Sequence, residues 1–198
     1  MFENLSLFYY NKGLQQARES RISTAAKTLV KAVSYDRGNI QAWNLAGLCY
    51  YRLGEYKSAA YCWTQSLRQV PENNGATTYL ADLQNALEET DPYFSRVLSL
   101  CRQQHYRQAA GILSKEICSR FALSAALWNY LGVIHLLSGR TNAAVKCWQT
   151  VLSIDKSNVA ATRYLEAVEH RLSCKLLKWK EKLWMRIAKA TQKDDAER

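Results

Sequence analysis

The chain has 198 residues, 48% hydrophobic and 22% charged, with 8 Gly, 2 Pro and a net charge of +10. So few turn-forming residues disfavour a many-stranded sandwich or barrel, and no apolar run reaches the length of a membrane span. The positive charge is uneven: residues 1–90 are nearly balanced, whereas 91–172 and 173–198 each hold twice as many Lys/Arg as Asp/Glu, which favours acidic partners there.

The start, MFENLSLFYYNKG, lacks the basic-then-apolar order of a secretory signal, so a cytoplasmic location is expected. Cysteines stand at 49, 62, 101, 118, 147 and 174 without a CxxC pair, and His105, His135 and His170 are scattered. Metal sites need ligands at short spacings, so the thiols are read as reduced, buried structural groups, with no metal and no cofactor expected.

Aligning Trp43–Leu87 with Trp128–Leu172 at an offset of 85 gives 14 identities in 45 positions without a gap. On that count the chain is internally duplicated. The identities include Trp43/Trp128, Gly47/Gly132, Gly54/Gly139, Ala59/Ala144, Cys62/Cys147, Trp63/Trp148 and Tyr79/Tyr164.

A shorter period lies inside that unit. With Ile40 as position 1, Trp43, Gly47, Tyr50, Ala59, Trp63 and Pro71 fall at positions 4, 8, 11, 20, 24 and 32. This resembles the tetratricopeptide repeat, a helix–turn–helix unit of about 34 residues. Small residues such as Gly47 and Ala59 let two antiparallel helices approach closely, and Trp43 and Trp63 fill the space between layers.

In chain order, the resemblance implies a first repeat at 6–39 (Tyr9, Gly13, Ala25, Leu29, Ala32), the strong repeat at 40–73 and a capping helix at 74–88. A third repeat follows at 90–123 (Tyr93, Leu100, Ala109, Leu113), where Arg96 and Val97 break the first-helix pattern. The fourth, at 125–158, carries Trp128, Leu131, Gly132, Ala144 and Trp148, but has His135 and Lys156 where Tyr and Pro are usual. A second capping helix is expected at 159–172.

Thr90-Asp91-Pro92 offers a capping Asp and a helix-opening Pro, so a new helix is expected to begin there. Two organisations stay open at this point. One is a pair of half-modules, 1–89 and 90–172. The other is a single unbroken solenoid in which the helix at 92–104 supplies the missing second helix. Either way the expected fold is all-α, an antiparallel helix-pair superhelix of about 11 helices.

Residues 173–198 stand outside the repeat. Within them, 174–191 reads as an amphipathic helix with Leu176, Trp179, Leu183, Trp184 and Ile187 on one arc and Lys175, Lys178, Lys182, Arg186 and Lys189 opposite. It suits three roles: a terminal cap, a segment docked into a partner or a second copy, and a helix lying on an acidic membrane surface.

No GxGxxG, P-loop, HExxH or GxSxG motif occurs, so a non-catalytic role is expected. Basic residues are dispersed rather than gathered into a reading module, which speaks against nucleic acid. The resemblance implies protein binding. In that family the first helices line a concave groove through positions 2, 5, 9, 12 and 13. Carried onto this chain, those positions include Tyr10, Leu14, Arg18, Asn44, Leu48, Tyr51, Arg52, Arg102 and Asn129. Arg recurs at position 13 in Arg18, Arg52, Arg102 and Arg171. It grips carboxylates in two-pronged fashion or solvates a helix end, and both readings stay open. The family's chaperone-tail clamp is absent from its places, which hold Tyr10, Leu14, Leu45, Gly75 and Tyr79. The partner expected is an acidic and apolar peptide or helix. The alternative is an adaptor acting through the basic Trp-bearing helix at an acidic membrane surface or partner.

Overall fold

The computed structural model describes residues 2–171, and every regular element among them is helical. In chain order these are α1 (Phe2–Arg18), α2 (Ile22–Tyr35), α3 (Ile40–Leu53), α4 (Tyr56–Gln69) and α5 (Ala76–Arg102). There follow α6 (Tyr106–Ile112), prolonged by a π-helical turn at Leu113–Ile117, then α7 (Ala125–Leu137) and α8 (Thr141–Ile154). The last is α9 (159–171). The amphipathic segment 174–191, with its cap, partner and membrane readings, lies outside the described residues. No described helix is long and apolar enough to cross a membrane.

Four helical hairpins are built alike, and one turn fixes them all. Ser20, Gly54, Gln104 and Gly139 have left-handed φ values of 59°, 85°, 61° and 79°. Each is the fifteenth residue of its repeat, counting from 6, 40, 90 and 125. Their N–H groups donate to Ala17, Tyr51, Cys101 and Leu136, and those of the next residues donate to Gln16, Tyr50, Leu100 and His135, all at 2.9–3.1 Å. This paired bonding satisfies the last carbonyls of the first helix and reverses the chain. The two weak repeats therefore share the register of the two strong ones.

Five residues beyond each turn stand Ala25, Ala59, Ala109 and Ala144, all fully buried. Across the hairpin, a side chain added to Gly13, Gly47 or Gly132 would collide with Leu29, Trp63 or Trp148. The third pair has Val97 at this place, and only in this pair, among the described residues, does the second helix widen into a π turn. Trp63 and Trp148 are 1% and 0% exposed and lie against Tyr79 and Tyr164, with ring centroids 5.4 and 5.1 Å apart. Trp43 and Trp128 each donate their indole N–H to the carbonyl six residues back, Arg37 and Ala122. The duplication in sequence is thus a duplication of contacts.

Separate helices are fewer than expected, because those read at 74–88 and from 92 onward are one, the 27-residue α5. Pro92 does not open a helix but sits inside one. Proline lacks an N–H and crowds the carbonyl four residues back, so something must hold the helix across it. A continuous buried stripe, Leu83–Ala86–Thr90–Val97, runs along α5 on both sides of the proline. The Thr90 hydroxyl donates to the Ala86 carbonyl at 2.7 Å, and Arg120 grips Glu89 through two bonds of 2.9 and 3.1 Å. Tertiary contacts override the local stop signal.

The second half folds back onto the first. Phe121, 1% exposed, inserts its ring 4.8 Å from that of Tyr56 and 6.2 Å from that of Tyr51. The turn at Gly54 abuts Ser124 and Ala126 at the start of α7. Further along, the loop after α8 meets the start of α2. Asp155 Oδ1 accepts from the Ser23 N–H at 3.3 Å, Ser157 Oγ accepts from Thr24 Oγ1 at 3.2 Å, and the Lys156 N–H donates to the Ser20 carbonyl at 2.7 Å. The residue preceding α2 is Arg21, which gives no side-chain cap. A carboxylate from the far end of the chain therefore takes the capping place, where the helix dipole favours negative charge.

Two outcomes follow. Trp63→Ala and Trp148→Ala should each lower stability by about 3–5 kcal/mol through the cavities they leave, read from urea melts. Asp155→Ala should cost about 1–3 kcal/mol by leaving buried donors unmatched. It should also enlarge the radius of gyration in solution scattering, since this loop closes the second half onto the first.

Candidate binding surfaces

The groove residues read from the sequence divide into two groups. Arg18, Arg52 and Arg102 are exposed, and none takes part in an ion pair among the described residues. Because the four turns share one register, these arginines occupy the same place in three successive hairpins, two residues before the left-handed turn. Tyr10, Leu14, Leu48 and Tyr51 are half-buried. Leu48 and Tyr51 pack against the central core, so the returning second half takes part of their surface. Asn44 and Asn129 are also half-buried and hold the hairpins together, donating to Asn74 and Asn158 at 2.9 and 3.4 Å. Arg171 closes the described chain and is exposed.

A second surface was not foreseen. Between α2 and α4 opens a groove of about 630 Å³ whose apolar lining comes from Val30, Val33, Trp43, Tyr50 and Tyr61. Its cationic groups are Arg37 and Lys57, and among the described residues no Asp or Glu lines it. Tyr61 is 59% exposed and Val30 43%, unusually high for side chains that line a concavity. Trp43 has its N–H spent on Arg37, so its ring is held in place edge-on to Tyr61, with centroids 6.2 Å apart. Tyr61 belongs to none of the six repeat-defining positions. The one signal that pointed to it was an aromatic residue on the outward side of a second helix.

The buried cysteines among the described residues are chemically quiet. Burial pushes the thiols of Cys49 and Cys118 up to about 12 and those of Cys62 and Cys147 up to about 11. His135, which replaces the usual Tyr, is held below its ordinary value by burial and by Arg140. Among the described residues no three His, Cys, Asp or Glu side chains gather as a metal cage would require.

The fold defines an α-helical repeat scaffold made of stacked hairpins. Residues 40–73 match the tetratricopeptide repeat family, so the chain carries one repeat of that type there. Proteins of this kind are in general interaction scaffolds without catalytic activity. Among solved structures it is similar to MamA from Desulfovibrio magneticus RS-1, with 14% identity, a TM-score of 0.38 and 85% of each chain covered. It is similar to YrrB, described as a TPR protein with an unusual peptide-binding site, with 18% identity and a TM-score of 0.36, covering 80% of this chain and 90% of that one. MamA of AMB-1 gives 19% identity and a TM-score of 0.35, covering 85% and 82%. No curated protein matches.

The thiol environments fix a pH response. Between the unfolded thiol value of about 8.5 and the folded values, the unfolded chain sheds protons that the folded chain keeps. The thiols' contribution to stability should therefore be constant below about pH 8 and fall as pH rises beyond it. Thermal melts at stepped pH check this, and a disulfide reagent at pH 8 should label Cys49, Cys62, Cys118 and Cys147 only after denaturation.

Proposed function

We propose that this protein is a non-catalytic scaffold that holds a peptide or helix of a partner protein, one with acidic and apolar residues, along the first helices of its hairpins. The supporting observation is the recurrence of Arg18, Arg52 and Arg102, exposed and without an ion pair among the described residues, at one position of three hairpins. A guanidinium offers a forked pair of donors that matches a carboxylate, and the half-buried Tyr10, Leu14, Leu48 and Tyr51 add apolar edges beside it. Asn44 and Asn129 serve this surface by fixing the spacing of its helices. The two half-modules, 1–89 and 90–172, act here as one platform, with α5 as their common helix.

Charge at such a surface makes binding fall with added salt, whereas the apolar edges supply a component that salt does not remove. Arg52→Glu should weaken capture of the native partner from host extract while shifting stability by no more than about 0.5 kcal/mol, as exposed substitutions do. Quantitative pull-down with matched thermal melts is the measurement. Capture unchanged by Arg52→Glu but lost on removal of residues 173–198 would move the function to the basic tail and its acidic membrane or partner surface.

A further inference from the structure

We propose that the groove between α2 and α4 is a separate docking site for an acidic, apolar segment of another protein. The inference rests on the scaffold reading but not on the arginine-bearing face. At 100° per residue, Arg52 lies about 180° around α3 from Trp43, so the two surfaces are on opposite sides of that helix.

Three observations select this occupant. The first is the lining: aromatic and aliphatic side chains with Arg37 and Lys57, and no carboxylate. An apolar floor with cations that form no ion pair among the described residues complements an apolar segment that carries Asp or Glu. Arg37 follows the end of α2 and Lys57 lies in the first turn of α4. Successive short connections make α2 and α4 run parallel, which sets these cations toward opposite ends of the groove. Trp43 and Tyr50 are separated by about 10 Å along α3, a distance an extended segment covers in about three residues.

The second observation is the internal duplicate, which works as a control within one molecule. Core positions are kept between the halves, Gly47/Gly132 and Trp63/Trp148 among them. The groove positions on α4 are not: Tyr61 corresponds to Lys146, and Lys57 to Asn142. A merely structural surface would need no such difference, and the apolar lining by Val30 and Tyr61 belongs to the first half, where the second has, at the offset of 85, Lys115 and Lys146. The third observation is charge: residues 173–198 carry 8 Lys/Arg against 4 Asp/Glu, so the chain's own tail is the wrong sign for this rim.

The test uses the full chain and a display library of random short peptides selected on it. Peptides that enrich should carry Asp or Glu beside Leu, Phe or Trp. Synthesised with a fluorescent label, they should bind Tyr61→Ala and Lys57→Glu at least about tenfold more weakly than the parent, as loss of a hot-spot contact does. Peptides held by the arginine-bearing face are set apart by losing affinity for Arg52→Glu instead. Both groove substitutions are at exposed positions, and matched thermal melts verify that the variants fold. The proposal is overturned if no peptide enriches, or if the enriched peptides are basic. It is overturned too if Tyr61→Ala leaves affinity unchanged, or if only Arg52→Glu reduces it, the latter assigning the peptides to the opposite face. Tighter binding on removal of residues 173–198 would make the tail the occupant. A dimer that dissociates on Tyr61→Ala would make it a second copy of the chain.

Discussion

The structure depends on a close approach of two helices that small residues alone permit. Gly13, Gly47 and Gly132 leave space that Leu29, Trp63 and Trp148 fill, and a fully buried alanine marks the same level of every second helix. Close approach requires the chain to reverse within two residues, and the left-handed turn does this while satisfying the carbonyls at the helix end. Two of these turns are glycine, but Ser20 and Gln104 adopt the same conformation at a cost of roughly 1 kcal/mol each. That expense is tolerated because both hydrogen bonds form there as well as at the glycines. Packing, rather than the local preference of the turn residue, sets the geometry.

Once the hairpins are fixed, two long-range contacts decide which surfaces remain open. Phe121 occupies the space beside Tyr51 and Tyr56, and the loop at Asp155 covers the start of α2. An open array would present the whole row of first helices to solvent. Here the returning half takes part of the apolar surface at Leu48 and Tyr51 and leaves the arginines exposed. The same closure leaves the outer side of α2 and α4 untouched, and the groove lined by Trp43 and Tyr61 lies there.

Much of this was legible in the sequence, and the limits have physical causes. Repeat phase, hairpin order and the two buried tryptophans follow from residues whose size is dictated by a contact within one repeat. The junction at Thr90–Pro92 misled because proline reports only on its local backbone, whereas the stripe from Leu83 to Val97 and the Arg120–Glu89 pair act from outside the segment. Closure was invisible for a related reason. Asp155 meets Ser23 across 132 residues, and neither side chain has a pattern that marks it as a capping partner. As for the site, the first-helix positions were placed by analogy with the family, and their exposure sorted them into arginines that face solvent and aromatic or aliphatic residues that do not do so fully.

Divergence between the halves separates what the fold needs from what it does not. Where both copies keep a residue, a contact explains it: Trp63 and Trp148 against glycine, Tyr79 and Tyr164 against tryptophan, Gly54 and Gly139 in left-handed turns. Where they differ on the surface, stability offers no reason for the choice, since an exposed aromatic gains little from the fold. A tyrosine that stays largely in solvent at Tyr61, in edge-to-face contact with an indole whose own N–H is already satisfied, leaves most of its ring surface open to a partner. Such rings supply contact area at small entropic cost when a partner arrives, because their rotamers are already restricted. The repeat architecture therefore provides the frame twice, and the differences between its two copies mark where the frame has been adapted for use.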